Sequence, residues 1–261
     1  MYFLGDIGRT KMRLTISTDG ERFAEPVIKP TPPDFDQGLV LIKDVFSQLT
    51  GGDKLSGRAC FGLSRRVWPN SPIMASLTEV FGEHVSLEND TALVGLGENH
   101  AGAGQGSEIM VYVTVSTGVG GVKISRGRID ENALGFEPGQ QIINAGSISK
   151  PILGRLEDYV SGEAIEKQFG RPPREIVDEK IWSDLSHSLA IGLTNTLLHW
   201  SPDCLVLGGS MFKSPGFRVD EVAQLIRRYL TIFPELPTIK PAILGEFGGL
   251  HGALVYLRQR S

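Results

Sequence analysis

Two stretches of this 261-residue chain open in the same way, and that repetition limits the folds open to it. Glu108–Gly127, EIMVYVTVSTGVGGVKISRG, reads as a strand over Ile109–Val115, a Ser-Thr-Gly-Val-Gly-Gly turn and a return strand over Val122–Ser125. Val, Ile, Tyr and Thr in the first arm suit a pleated surface. Gly118, Gly120 and Gly121 lack a Cβ, so backbone N–H groups there can approach an anion, and Ser116 and Thr117 add hydroxyls. An ordinary hairpin that needs glycine for its twist explains the same residues. At the other end, Tyr2–Asp6 is a short apolar strand, Ile7-Gly8-Arg9-Thr10-Lys11 turns, and Met12–Ser17 returns.

The elements after each hairpin are alike too. After the first come a strand-like segment at Arg22–Lys29 and a helix at Gly38–Thr50, closed by Gly51-Gly52. A buried-type strand at Arg58–Leu63 leads to a helix opened by Ser71 as cap and Pro72 in its first turn. A strand at His84–Glu88 then delivers Asn89-Asp90 to a helix over Thr91–Glu98. After the second hairpin, Gly127–Ile129 is a short strand, Asp130–Pro151 an irregular insertion, and short helices run to Phe169. A long helix from about Ile176 to Trp200, a strand at Asp203–Leu207 closed by Gly208-Gly209, and a helix at Val219–Leu230 come next. A strand at Ile239–Leu244 and a helix at Gly249–Arg260 complete the order. A βββαβα order met twice predicts an α/β protein of two similar lobes with a cleft between them. The lobes are expected at 1–98, joined by the C-terminal helix 249–261, and at 99–248, with the polar linker Asn99–Ser107 at the boundary. Small-molecule sites are usually built in such clefts.

Composition narrows the function classes. A net charge of −4 leaves no basic footprint for nucleic acid. No apolar run has the length of a membrane span, and Asp6 interrupts the N-terminal apolar stretch too early for a signal peptide. Cys60 and Cys204 each sit in an apolar run and read as reduced core thiols of a cytoplasmic protein.

Two facing glycine turns would make a phosphate clamp, with Thr10 and Thr117 as hydroxyl donors. Asp6, at a strand end beside the first turn, could hold Mg²⁺ through water, because Mg²⁺ takes few carboxylates together with phosphates. Asp90, at another strand end, could accept the proton of an attacking hydroxyl. Taken alone, the Asn-Asp pair is better explained by Asp90 as a helix N-cap, since Leu93 and Leu96 follow it.

The ordered set of motifs resembles the ROK family of sugar kinases, in the actin/hexokinase/Hsp70 superfamily. Leu4-Gly5-Asp6-Ile7-Gly8-Arg9-Thr10-Lys11 resembles its first phosphate motif, and Glu88-Asn89-Asp90-Thr91-Ala92 with Gly97-Glu98 the segment that carries its catalytic aspartate. Ser116–Gly121 with Arg126-Gly127-Arg128 resembles the second phosphate motif. Glu137-Pro138-Gly139-Gln140 resembles Glu-Ile-Gly-His, and Leu156–Gly162 resembles Leu-Glu-x-Tyr-x-Ser-Gly. Ser201-Pro202-Asp203 with Leu207-Gly208-Gly209 resembles the nucleotide-side glycine motif. The resemblance covers the chain from end to end and implies two ribonuclease H-like lobes of the actin-like ATPase type. It implies ATP and Mg²⁺ as cofactors, with a hexose or amino sugar as substrate. Asp90 would be the general base, and Asn70, Asn89, Glu137, Gln140 and Glu157 would hold the sugar. Asp6, Gly8, Arg9, Thr10, Lys11, Thr117, Gly118, Gly120, Gly208 and Gly209 would form the nucleotide and phosphate set. A homodimer is compatible with the resemblance, and no nucleic-acid or membrane partner is expected, since no DNA-binding helix-turn-helix stands ahead of the first strand.

Three departures stand out. Arg9 replaces a glycine of the phosphate turn and either strains it or adds a phosphate clamp. Gln140 replaces a histidine, and Gln141–Leu156 holds none of the cysteines of the family's zinc loop, so no zinc is expected and packing must hold that segment. Leu63–Pro72 lacks the usual Gly-Pro turn. These departures motivate a second reading, a degenerate relative that binds sugar or nucleotide without turnover. An actin-like or phosphatase-like ATPase is a third. The five histidines lack metal-ligand spacing and, like Trp182 and Trp200, read as structural.

Overall fold

The computed structural model describes residues 1–53, 55, 57–64, 66–133, 135–147 and 150–260. The chain forms two compact units, 1–101 with 244–261, and 102–243.

In the first unit, β1 (Tyr2–Ile7) pairs antiparallel with β2 (Lys11–Ser17), which pairs antiparallel with β3 (Val27–Pro30). Helix α1 (Phe35–Thr50) leads to β4 (Arg58–Leu63), α2 (Ile73–Phe81) leads to β5 (Val85–Asn89), and α3 (Asp90–Ala101) comes next. The sheet order is β3-β2-β1-β4-β5, with β1, β4 and β5 parallel. Side chains alternate across β1. Phe3 and Ile7 join Ile42 and Val45 of α1 and Ile73, Leu77 and Phe81 of α2 in one core. Asp6 faces the other way, toward Gly249 of the C-terminal helix.

Helix α1 shows how local chemistry sets an element. Asp34 is extended at φ −89°, ψ 136°, and its Oδ1 accepts from the Gln37 N–H at 3.0 Å, while Gly51 ends the helix in the left-handed region at φ 66°. Asp34→Ala is expected to cost about 1 kcal/mol of stability, read as a lower denaturant midpoint at unchanged slope.

In the second unit, β6 (Ile109–Val115), β7 (Val119–Ser125) and β8 (Arg128–Ile129) repeat the antiparallel trio. An insertion holds the hairpin β9 (Ile142–Ser147) and β10 (Lys150–Arg155), then α4 (Leu156–Val160) and α5 (Gly162–Phe169). Then come α6 (Glu179–Trp200), β11 (Cys204–Gly208), α7 (Val219–Tyr229) and β12 (Thr238–Pro241), with α8 (Gly248–Arg258) closing the chain in the first unit. The sheet order β12-β11-β6-β7-β8, with β6, β11 and β12 parallel, is that of the first unit element for element. The α/β fold class and the twofold repeat expected from the sequence are therefore present. Cys60 and Cys204 are buried free thiols, and Trp182 lies in the core with its indole N–H donating to the Ile176 carbonyl at 2.7 Å.

Several local expectations need correcting. The irregular insertion contains the β9–β10 hairpin; its Ile148 and Ser149 lie outside the described residues, as does Leu134. The second glycine turn is shorter than it reads: Gly120 and Gly121 lie in β7, opposite Thr114 and Val113. At Gly121 a Cβ would fall 2.7 Å from Pro138 Cγ, so packing, not anion approach, accounts for that glycine. Ser71 does not cap α2; the cap position is Pro72, with no side-chain hydrogen bond, and the Ser71 hydroxyl is buried without a partner among the described residues. The third strand is confined to Val27–Pro30.

Candidate active site

Parallel strands that stop in register present their next residues along one carboxyl edge, where ligands bind in open α/β sheets. In the first unit Ile7 pairs with Leu63, and Leu63 with Asn89. Gly8, Ser64 and Asp90 therefore leave one edge together, and the Ser64 N–H donates to the Ile7 carbonyl at 3.2 Å.

Asp90 is the first residue of α3, and Asn89 is its cap: Asn89 Oδ1 accepts from the Ala92 N–H at 3.1 Å. The capping explanation for the Asn-Asp pair thus falls on Asn89. Asp90 Oδ1 accepts from the Thr91 N–H at 2.8 Å, and among the described residues Oδ2 has no hydrogen-bond partner. The carboxylate is partly buried and its pKa is raised by that burial, opposed by the Thr91 backbone and hydroxyl donors. A carboxylate at a helix N-terminus, held by one oxygen, is oriented to use the other.

Asp6 stands on a strand of the same parallel set. Burial pushes its pKa up to about 6; Arg13 acts against this and the Asp90 charge adds to it. Arg13, directly opposite Asp6 in the hairpin register, places one guanidinium nitrogen 3.3 Å from Asp6 Oδ2 and another 3.0 Å from Glu246 Oε2. Asp6 also lies against the backbone of α8: a Cβ at Gly249 would fall 2.8 Å from its Cγ. Reading along the chain missed Arg13, although the pairing is implied once β1 and β2 are placed as a hairpin.

In the loop after β1, the Gly8 N–H donates to the Lys11 carbonyl at 3.1 Å, and Arg9, Thr10 and Lys11 are exposed. Arg9 is absent from the non-glycine residues at positive φ among those described, so its Cβ imposes no left-handed strain on the turn. Asn70, exposed and at φ 62°, lies in the loop that leaves β4; Arg65 of that loop lies outside the described residues.

In the second unit the carboxyl edge brings the Ser116–Gly118 turn against Gly208-Gly209. Gly208 pairs with Thr114, and the Ser116 and Ser210 hydroxyls are 2.9 Å apart. Gly209, at φ 101°, admits no side chain: a Cβ would fall 2.7 Å from both Thr114 Oγ1 and the Val115 carbonyl carbon. Thr117, Gly118, Gly208 and Gly209 thus share one edge, while Gly120 lies within β7. Glu157, from α4, spends Oε2 on the Val119 N–H at 2.7 Å. Glu137 and Gln140 are exposed at the two ends of the short turn Pro138–Gln140.

Mg²⁺ takes one or two carboxylates with water and phosphate oxygens. Asp6 offers one carboxylate, and among the described residues no three His, Cys, Asp or Glu side chains converge on a metal position. That donor set suits a cation held chiefly by substrate phosphates and water. Where the zinc loop was expected to be missing, the β9–β10 hairpin is tied to α4 by Tyr159: Asn144 Nδ2 donates to its hydroxyl at 3.1 Å, and its ring fills the space beside Gly154.

A βββαβα unit occurring twice, with short loops at the carboxyl edge of each sheet, defines the actin-like ATPase class. The ROK family model matches residues 61–260. The chain belongs to the ROK family. It is 24% identical to an N-acetyl-D-glucosamine kinase of Mannheimia succiniciproducens over 97% of this chain and 98% of the relative. It is 27% identical to a fructokinase of Zymomonas mobilis over 94% and 92%. Among solved structures, a ROK hexokinase from Thermus thermophilus aligns over 98% of both chains with a TM-score of 0.80 and 28% identity. A ROK family glucokinase from Streptomyces griseus, in complex with glucose and AMPPNP, aligns over 99% of both with a TM-score of 0.76 and 21% identity. Among the described residues no helix is long and apolar enough to cross a membrane.

Proposed function

We propose that this chain is an ATP-dependent sugar kinase that phosphorylates a hydroxyl of a hexose or amino sugar, with Asp90 as general base. The observation that carries this reading is Asp90 itself: it heads α3 at a carboxyl edge, with one oxygen on the Thr91 N–H and the other, among the described residues, without a partner. The kinase names of the relatives support the reaction class.

In this reading the sugar hydroxyl donates to Asp90 Oδ2 and passes its proton there as the oxygen attacks the γ-phosphorus, while the bond from that phosphorus to the β,γ-bridging oxygen breaks and ADP leaves. Asn70, Asn89, Glu137, Gln140 and Glu157 bind the sugar hydroxyls. For Asn89 the Nδ2 donor serves, since Oδ1 caps α3. The loop Gly8–Lys11 and the edge residues Thr117, Gly118, Gly208 and Gly209 hold the nucleotide phosphates. Asp6 would hold Mg²⁺ through water, and the ion would supply neutralisation of charge on the transferring phosphoryl group. Phosphoryl transfer asks mainly for this positioning and neutralisation.

The test is ADP release with Mg-ATP across a panel of hexoses and amino sugars. Release that depends on one sugar class is expected. Sugar binding in calorimetry with no ADP would favour the non-catalytic binder, and ADP release indifferent to sugar would favour an ATPase. Arg9 enters as a phosphate clamp, because its φ leaves the turn unstrained. Arg9→Gly is expected to raise the apparent KM for ATP about tenfold, the scale of one lost charge-assisted hydrogen bond. An unchanged value removes that role.

A further inference from the structure

The loop between β4 and α2 is costly to build. Trp68 and Asn70 both lie in the left-handed region, at φ 47° and 62°, which a bulky residue such as tryptophan rarely visits. Among the described residues the Ser71 hydroxyl, buried in the same loop, has no partner. Within it, the Val67 N–H donates to the Ser64 carbonyl at 2.9 Å and the Ser71 N–H to the Trp68 carbonyl at 3.1 Å.

What holds this shape is the Trp68 side chain. Only 7% exposed, it donates from Nε1 to the Pro32 carbonyl at 2.9 Å and meets the Phe35 ring edge-on at 5.8 Å between centroids. Its six-membered ring lies in a notch on α1 made by Gly38, where a Cβ would fall 2.5 Å from Trp68 Cη2 and 2.9 Å from Cε2. The ring is thus anchored on α1, and two residues further on the exposed Asn70 stands in the loop that leaves the carboxyl edge of Asp90.

We propose that Trp68 is a positioning residue for the acceptor sugar: seated in the Gly38 notch and bonded to Pro32, it holds the strained loop so that Asn70 is preorganised to bind a sugar hydroxyl. This role rests on the kinase reading. The energy of burying the indole offsets the backbone strain, and Asn70 loses little freedom on binding because the loop is already fixed.

Three variants test it in steady-state kinetics with the preferred sugar. Trp68→Phe keeps a ring but loses the bond to Pro32. Gly38→Ala fills the notch from a helix that carries none of the candidate sugar or phosphate residues. Asn70→Gly removes the side chain while tolerating positive φ. Trp68→Phe and Gly38→Ala are each expected to raise the sugar KM five- to tenfold, with kcat and the KM for ATP within twofold of the parent. Combining either with Asn70→Gly should add less than twofold to the effect of Asn70→Gly alone, because both act through the same contact. A sugar KM unmoved by Gly38→Ala, losses that fall equally on kcat and the KM for ATP, or full additivity with Asn70→Gly would each overturn the assignment. A parent that releases no ADP with any sugar would remove the kinase reading and this role with it, whereas an active parent with unmoved variants removes this role alone.

Discussion

Asp90→Asn will lower sugar-dependent ADP release by about 10³-fold while leaving the protein folded. General bases contribute on the order of 10²–10⁴ in rate. Asparagine keeps an acceptor for the Thr91 N–H, so the head of α3 is preserved. The loss is expected in kcat and kcat/KM together, as for a group used only in the transition state. The thermal midpoint should stay equal or rise slightly, because burial disfavours the Asp90 carboxylate and the amide carries no charge. Acidification should act in the same direction as the substitution. In the proposed role Asp90 works only when ionised, so the acid limb of kcat/KM is expected above the ordinary carboxylate range, which lies near pH 4. Asp6 takes up its proton at about pH 6 and contributes to that limb. Stability has the opposite sign. Asp6 binds its proton more tightly folded than unfolded, so its contribution is present below the unfolded pKa and is lost as pH rises through about 6.

Gly252→Ala will be the most destabilising single methyl in the first unit. Helices α3 and α8 cross so closely that a Cβ at Gly252 would fall 2.5 Å from the Leu93 carbonyl carbon and 2.9 Å from its Cα. Backbone cannot yield there as the end of a side chain can. Overpacking of this kind costs about 3 kcal/mol, which lowers the melting temperature by roughly 6–12 °C in a chain of this size. Gly51→Ala is the control. Its φ of 66° makes alanine strained, but nothing lies within 4 Å, so about 1 kcal/mol is expected. Circular dichroism melts of the two variants check this; equal midpoints would mean that α3 and α8 separate at little cost.

The parts of the fold that were legible in the sequence are those fixed by local chemistry. β1, β4 and β6 are apolar runs bounded by turn residues, β2 alternates, and the element order read from them recurs in both units. The ordered motifs pointed to Asp90 and to Gly208-Gly209, which do lie at carboxyl edges. Contacts that only the third dimension supplies were not legible. Gly120 and Gly121 read as turn residues because glycine disfavours strands, yet Pro138 packs where a Gly121 side chain would stand. β9 and β10 carry Asn, Ala, Gly and Ser, which give little strand signal, and Tyr159 from the next helix fastens them. Glu246 meets Arg13 across 233 residues of chain, and Trp68 finds its notch only once α1 is in place.

In the proposed mechanism the Asp90 carboxylate directs a sugar hydroxyl onto the γ-phosphorus of ATP. Phosphorus NMR of the protein with Mg-ATP and a turned-over sugar tests it most directly. A phosphomonoester signal that grows in step with ADP and is absent with Asp90→Asn is expected. Inorganic phosphate as the only new signal, or a phosphomonoester formed equally fast by Asp90→Asn, would contradict it.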